Sequence, residues 1–162
     1  MTPIEGPQEA SNITAATANR FTGNRLLLAA IAALAVAGMI LSGVSLQRHY
    51  AKSASTFCEF GEKFNCDIVN RSEYSTVMGI PVAGIGIAGY GVLLVLATVY
   101  RSYPGTPTRL LVTALGGLGF ALYLTYVEGY VLNAWCILCL SSLGSIVAIA
   151  LLAGVMKAKG RS

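Results

Sequence analysis

The chain has 162 residues, of which 55% are apolar and 11% are charged, against about 25% charged residues in an ordinary soluble domain. A soluble fold this small has too little interior to hide so much apolar surface, which argues against a globular cytosolic enzyme. The net charge of +4 marks a nucleic-acid partner only if it is clustered, and the positions of the Lys and Arg residues tie it to topology instead.

Residues 1–24 show little periodicity and are rich in Thr, Ala and Asn. They read as a disordered cytoplasmic tail. Uncharged stretches follow at 26–47, 74–100, 110–127 and 129–156. Each is close to the roughly 20 residues that an apolar helix needs to cross a bilayer. The first is longer than the h-region of about 7–15 residues in a signal peptide, and a polar segment precedes it, so it reads as a retained helix. The fold class expected is an all-α membrane protein: a four-helix transmembrane bundle over 25–157, with a short cytoplasmic tail at 158–162.

Lys and Arg counts set the orientation. Seven lie on the side of the two termini and four on the other side, and the net charges of the two sides are +5 and −1. The termini are therefore expected in the cytoplasm, with the long loop after Arg48 outside. In that loop Phe57, Phe60, Phe64 and Ile68 fall at helical spacing. An outer loop with this stripe can carry a short interfacial helix, or a helix packed on the bundle. His49, the one histidine, reads as a solvated residue at the membrane edge. Glycines crowd the second stretch (Gly84, Gly86, Gly89, Gly91) and the third (Gly116, Gly117, Gly119), which suits close helix packing. Pro81 falls in the first turns of the second stretch, where its missing N–H costs little. With no charge inside any stretch, an ion or proton pathway is not expected.

All four cysteines, Cys58, Cys66, Cys136 and Cys139, fall on or near the outer side, the oxidising one. Cys136 and Cys139 are three residues apart, on one face of a helix. Two thiols at that spacing can close a disulfide within a turn, and a helix N-terminus favours the thiolate that attacks in exchange. The spacing suits a redox-active pair. Trp135 beside it reads as an interfacial anchor. Structural disulfides and a zinc site formed by all four cysteines are the alternatives; the separation of Cys58 from Cys66 exceeds the usual short zinc-ligand spacing. Haem attachment is excluded, because Leu140 follows the CxxC where a His is required.

Taken in order, the loop cysteines Cys58 and Cys66, the run Asn70-Arg71-Ser72-Glu73-Tyr74-Ser75, Met78-Gly79-Ile80-Pro81, and Cys136-Ile137-Leu138-Cys139 at the head of the last helix resemble the vitamin K epoxide reductase family in its bacterial form. The resemblance covers roughly 25–156. It implies a quinone-dependent thiol–disulfide oxidoreductase, with menaquinone or ubiquinone as the quinone. Cys58 would face a thioredoxin-like disulfide donor protein, Cys66 would exchange with Cys136, and Cys139 would lie nearest the quinone. Ser72 matches the family's Ser/Thr near the quinone, and Tyr74 an aromatic position that caps the site. Leu143 stands where some relatives carry a Tyr. Some relatives also carry a fused thioredoxin-like domain, whereas here the redox partner is expected to be a separate protein.

The expected function is re-oxidation of that partner in the cytoplasmic membrane, with electrons passed to a membrane quinone. The competing class is a non-enzymatic membrane module whose cysteines form structural disulfides or bind zinc.

Overall fold

The computed structural model describes residues 7–50 and 66–161. Four long helices and one short one account for most of them: α1 (Pro7–Tyr50), α2 (Cys66–Arg71), α3 (Val82–Thr98), α4 (Thr106–Tyr130) and α5 (Ile137–Arg161). Between α2 and α3 lie a 3-10 turn, Glu73–Ser75, and a two-stranded hairpin, β1 (Thr76–Val77) and β2 (Ile80–Pro81). Cys58, Phe57, Phe60 and Phe64 fall outside the described residues.

Among the described residues three helices are long and apolar enough to cross a membrane: Gly23–Tyr50, Thr106–Tyr130 and Ile137–Gly160. The fourth, α3, has 17 residues, about 26 Å at 1.5 Å per residue, and sits at the short end of the spanning range. The all-α, four-helix membrane architecture is thus as expected. The flanks of the bundle expose large apolar side chains, among them Leu26, Ile40, Val112, Leu122 and Leu151, as helix faces in contact with lipid do. Tyrosines gather at both ends of the helices. Tyr126 and Tyr130 stack at 4.9 Å at one end of α4, and Tyr100 and Tyr103 pair at 5.5 Å before its start. These amphipathic rings suit the two membrane–water interfaces.

Three expectations are corrected. The segment read as a disordered tail is helical from Pro7, continuous with the first span; Pro7 supplies a preset φ for a first helical turn, and Ala residues favour its continuation. The second span is shorter than its uncharged stretch. Residues 74–81 turn back on themselves, with Met78 (φ 53°) and Gly79 (φ 83°) both left-handed between antiparallel β1 and β2. Positive φ at both central positions is the geometry that matches strand twist in a two-residue hairpin. Pro81, extended at φ −59° and ψ 130°, is the cap that precedes α3. Lastly, α4 continues to Tyr130, so Glu128 lies within a helix instead of dividing two spans.

The core draws on all four long helices. Ile31 and Ala35 of α1 meet Leu93 and Ala97 of α3, Leu110 and Ala114 of α4, and Ile149 and Ala153 of α5. Helix α1 packs closely along α3 and α5, and α4 along α5, whereas α3 and α4 touch more sparsely. The α1–α3 contact depends on a missing side chain: a Cβ at Gly38 would clash with the edge of the Tyr90 ring. The loop that joins α3 to α4 is tied by the buried Thr106 hydroxyl, which donates to the Tyr100 carbonyl. A smaller cluster caps one end of the bundle, formed by Cys66, Val69, Ala134, Cys136 and Leu138.

Candidate active site

The capping cluster holds three of the four cysteines. Cys66 opens α2 and is buried at 1% exposure. Cys136 precedes α5 and is fully buried, at 0%. Its carbonyl accepts the Leu140 amide at 3.0 Å, so it forms the cap of α5. Cys139, one turn on, is half-buried. The three thiols pack together in this cluster, and the Cys139 thiol lies beside the carboxylate of Glu128.

Two further side chains hold the cluster in place. Glu128, 2% exposed in the last turns of α4, accepts the Cys136 amide through Oε2 at 3.1 Å. The α4–α5 connection folds back to make this bond possible. Asn133 takes a left-handed φ of 48°, the Ala134 amide donates to the Glu128 carbonyl at 3.2 Å, and Trp135 lies over Gly129, where a Cβ would approach its ring to 3.1 Å. Asn70, buried in α2, donates through Nδ2 to the Cys66 carbonyl at 2.9 Å and to the Cys136 sulfur at 3.9 Å.

The expected thiolate at the head of α5 is corrected by this packing. The Cys136 thiol is pushed above the ordinary thiol range, first by the hydrogen bond it donates to Cys139; burial acts in the same direction, and the bond received from Cys66 opposes it. A helix N-terminus favours thiolate only where its amides face the sulfur in a polar setting. Here the Cys136 amide is taken by Glu128 and, apart from the Asn70 amide, apolar residues and the neighbouring thiols surround the sulfur.

His49 is not a solvated edge residue. Its Nδ1–H donates to the Asn70 backbone carbonyl at 2.6 Å, and Ser75 Oγ lies 3.2 Å from the same nitrogen. A carbonyl can only accept, so the proton sits on Nδ1. Ser75 in turn donates to the Ser72 carbonyl at 2.7 Å, and the Ser72 hydroxyl to the Val69 carbonyl at 2.8 Å. These bonds fasten the 3-10 turn, and with it Tyr74, to the end of α2.

A cavity of about 430 Å³ opens beneath this cap, where α3 and α4 are least closely packed. Ser72, Tyr74, Tyr90, Phe120, Glu128 and Cys139 are among its lining residues. Cys66 and Cys136 are not, so Cys139 is the one of the three sulfurs on its wall. Polar contacts are few. The Tyr90 hydroxyl donates to the Ser142 carbonyl at 2.8 Å and lies 2.9 Å from Ser142 Oγ. Size and lining are those of a site for a mostly apolar small molecule, oriented by a few polar groups. Among the described residues no group of three or more His, Cys, Asp or Glu side chains could hold a metal ion.

Of the residues singled out from the sequence, the structure brings Cys66, Cys136 and Cys139 together and places Ser72 and Tyr74 on the cavity. Glu128, Asn70 and the bonded role of His49 were missed. One signal was present for Glu128: an acidic residue eight positions before a CxxC, with no other charge around it.

A fold of four apolar helices that buries a cluster of thiols beside an apolar cavity defines a membrane-embedded thiol–disulfide oxidoreductase. The family model for the vitamin K epoxide reductase family matches residues 29–154, and the chain belongs to that family.

Proposed function

We propose that the protein re-oxidises a separate thioredoxin-like protein and passes the electrons to a membrane quinone. One observation carries the reading: Cys139 alone of the three sulfurs lines the apolar cavity, while Cys136 and Cys66 pack beside it in one buried cluster. The cavity fits a quinone head group chemically. Its walls are apolar, and the Tyr74 hydroxyl is the donor on them that would hold a carbonyl oxygen; Ser72 and His49 stand on the same wall with their protons given to the Val69 and Asn70 carbonyls. A bound quinone supplies the two-electron acceptor.

The steps carried by this chain are thiol–disulfide exchanges. With Cys136 and Cys139 joined as a disulfide, the Cys66 thiolate attacks the Cys136 sulfur. A Cys66–Cys136 bond forms, the Cys136–Cys139 bond breaks, and Cys139 leaves as thiolate. The Cys58 thiolate then attacks Cys66, forming Cys58–Cys66 and releasing Cys136. The Cys58–Cys66 disulfide oxidises the partner's dithiol and is itself reduced. Asn70 suits the exchange, because its amide reaches the Cys136 sulfur, the atom attacked in one step and released in the next. The proposed setting is the cytoplasmic membrane, with both termini inside and the thiol cluster at the outer edge.

The test uses purified protein in detergent with a dithiol and a soluble quinone, and follows the quinone absorbance. Turnover by wild type and none by Cys139→Ala is the expected result. No turnover by either, with stable disulfides or stoichiometric zinc, would favour the non-enzymatic module.

A further inference from the structure

A carboxylate deep in a helical bundle is costly unless its partners compensate. Glu128 is 2% exposed, and its partners are unusual. One is the Cys136 amide at 3.1 Å; the other is the thiol of Cys139. The first fixes the turn that presents the CxxC. The second sets a proton acceptor beside the one of the three sulfurs on the cavity wall, and Glu128 itself lines that wall.

We propose that Glu128 is the proton acceptor of the redox pair, taking the Cys139 thiol proton and giving it up toward the cavity as the pair closes. This rests on the reading of Cys136 and Cys139 as the pair that serves a quinone. In the first step the S–H bond of Cys139 breaks, an O–H bond forms on Glu128, and Cys139 is left as thiolate. Closure then forms the Cys136–Cys139 bond and breaks the S–H bond of Cys136. Two electrons and two protons leave the pair for the quinone oxidant. One of those protons is the one held by Glu128, which ends ionised, as it began.

Other titratable or charged groups surround the same space. His49 in the last turn of α1, Tyr74 in the 3-10 turn, Tyr90 on α3 and Cys139 on α5 line the cavity, while Cys66 and Cys136 pack beside Cys139 and Arg48 precedes His49 on α1. His49 is committed through Nδ1 to the Asn70 carbonyl, and Tyr90 is engaged with Ser142. The Arg48 guanidinium can only donate. Glu128 is the carboxylate that touches the Cys139 sulfur.

The experiment uses the full chain in detergent, free of quinone and reduced with a phosphine. Iodoacetamide labelling of Cys139 is followed across pH by peptide mass spectrometry in wild type, Glu128→Gln and Glu128→Asp. The wild-type profile is expected to carry two limbs, because carboxyl and thiol titrate as a coupled pair. Glu128→Gln should carry one limb, and Glu128→Asp should regain two at altered positions. A carboxylate that merely holds the Cys136 amide would leave the shape unchanged, and an unchanged shape in Glu128→Gln overturns the proposal. Should that variant fail to fold, Glu128→Asp decides alone: its acid is drawn back by one methylene, and a profile identical to wild type overturns the proposal equally. In turnover, Glu128→Gln is expected to lose about a hundredfold or more in rate. The labelling needs no quinone. A two-limbed wild-type profile without quinone turnover would therefore sink the quinone reading and leave the role of Glu128 standing.

Discussion

The side-chain amide of Asn70 lies 3.9 Å from the sulfur of Cys136 while donating to the backbone carbonyl of Cys66 at 2.9 Å. One buried group thus addresses both cysteines between which exchange is proposed. Replacing Asn70 with Leu leaves the Cys66 carbonyl without that donor, at an expected cost of about 1–3 kcal/mol. It should also slow formation of the Cys66–Cys136 bond relative to wild type. Thermal unfolding reads the first effect, and gel trapping of the mixed disulfide reads the second. Unchanged trapping kinetics would make Asn70 a purely structural residue.

The contact of Gly38 with Tyr90 gives a packing prediction. Gly38→Ala forces the Tyr90 ring out of its place between α1 and α3, and overpacking of this kind costs about 1–3 kcal/mol. Gly43→Ala, on the same helix, meets nothing within 4 Å and should be neutral or stabilising, by up to about 1 kcal/mol. Melting of the two variants in the same detergent makes the comparison.

Burial orders the reactivity of the thiols. Cys136 has no exposed surface, whereas Cys139 is half-buried and lines the cavity. An apolar maleimide added to the reduced, folded protein should label Cys139 well before Cys136, with the order read by peptide mapping. Equal rates would mean that the cavity does not admit apolar molecules to Cys139 alone.

The Cys136 thiol, raised in the folded state by its bond to Cys139 and by burial, links stability to pH. The folded form holds this proton more tightly than the unfolded chain does. Its contribution is therefore complete below the unfolded thiol value of about 8.5 and is lost as pH rises from there. The reduced protein should lose stability above that pH, by up to about 1.4 kcal/mol per pH unit from this one group. Cys136→Ser should flatten the slope, and melting temperatures from neutral to alkaline pH would show it. A slope equal in both proteins would assign the alkaline loss to other groups.

The four helices and the CxxC at the head of α5 were legible because both signals are local. An uncharged run has a length, and two cysteines have a spacing. The true start of α3 was not legible from charge. Tyr74 to Pro81 carries no charge, yet its chain reverses at Met78 and Gly79, and only Gly79 and Pro81 hinted at that. Glu128 was misplaced for a related reason. A single carboxylate between two apolar runs looks like a boundary in water, and its burial depends on a fold-back that brings the Cys136 amide to it. The bond from His49 to Asn70 joins α1 to α2 across a separation of 21 residues, which no periodicity in either segment announces.

Cys136 sits between Cys66 and Cys139 with no face of its own to water or to the cavity. In the proposed reaction it works as insulation. A small thiol outside the membrane cannot reach the Cys136 sulfur directly, and an apolar oxidant in the bundle meets Cys139 without meeting Cys66. Current can cross only in series, sulfur to sulfur. Oxidising power drawn from the membrane would then reach proteins that can dock at the outer cysteines, and would not be discharged into whatever small reductants surround the cell.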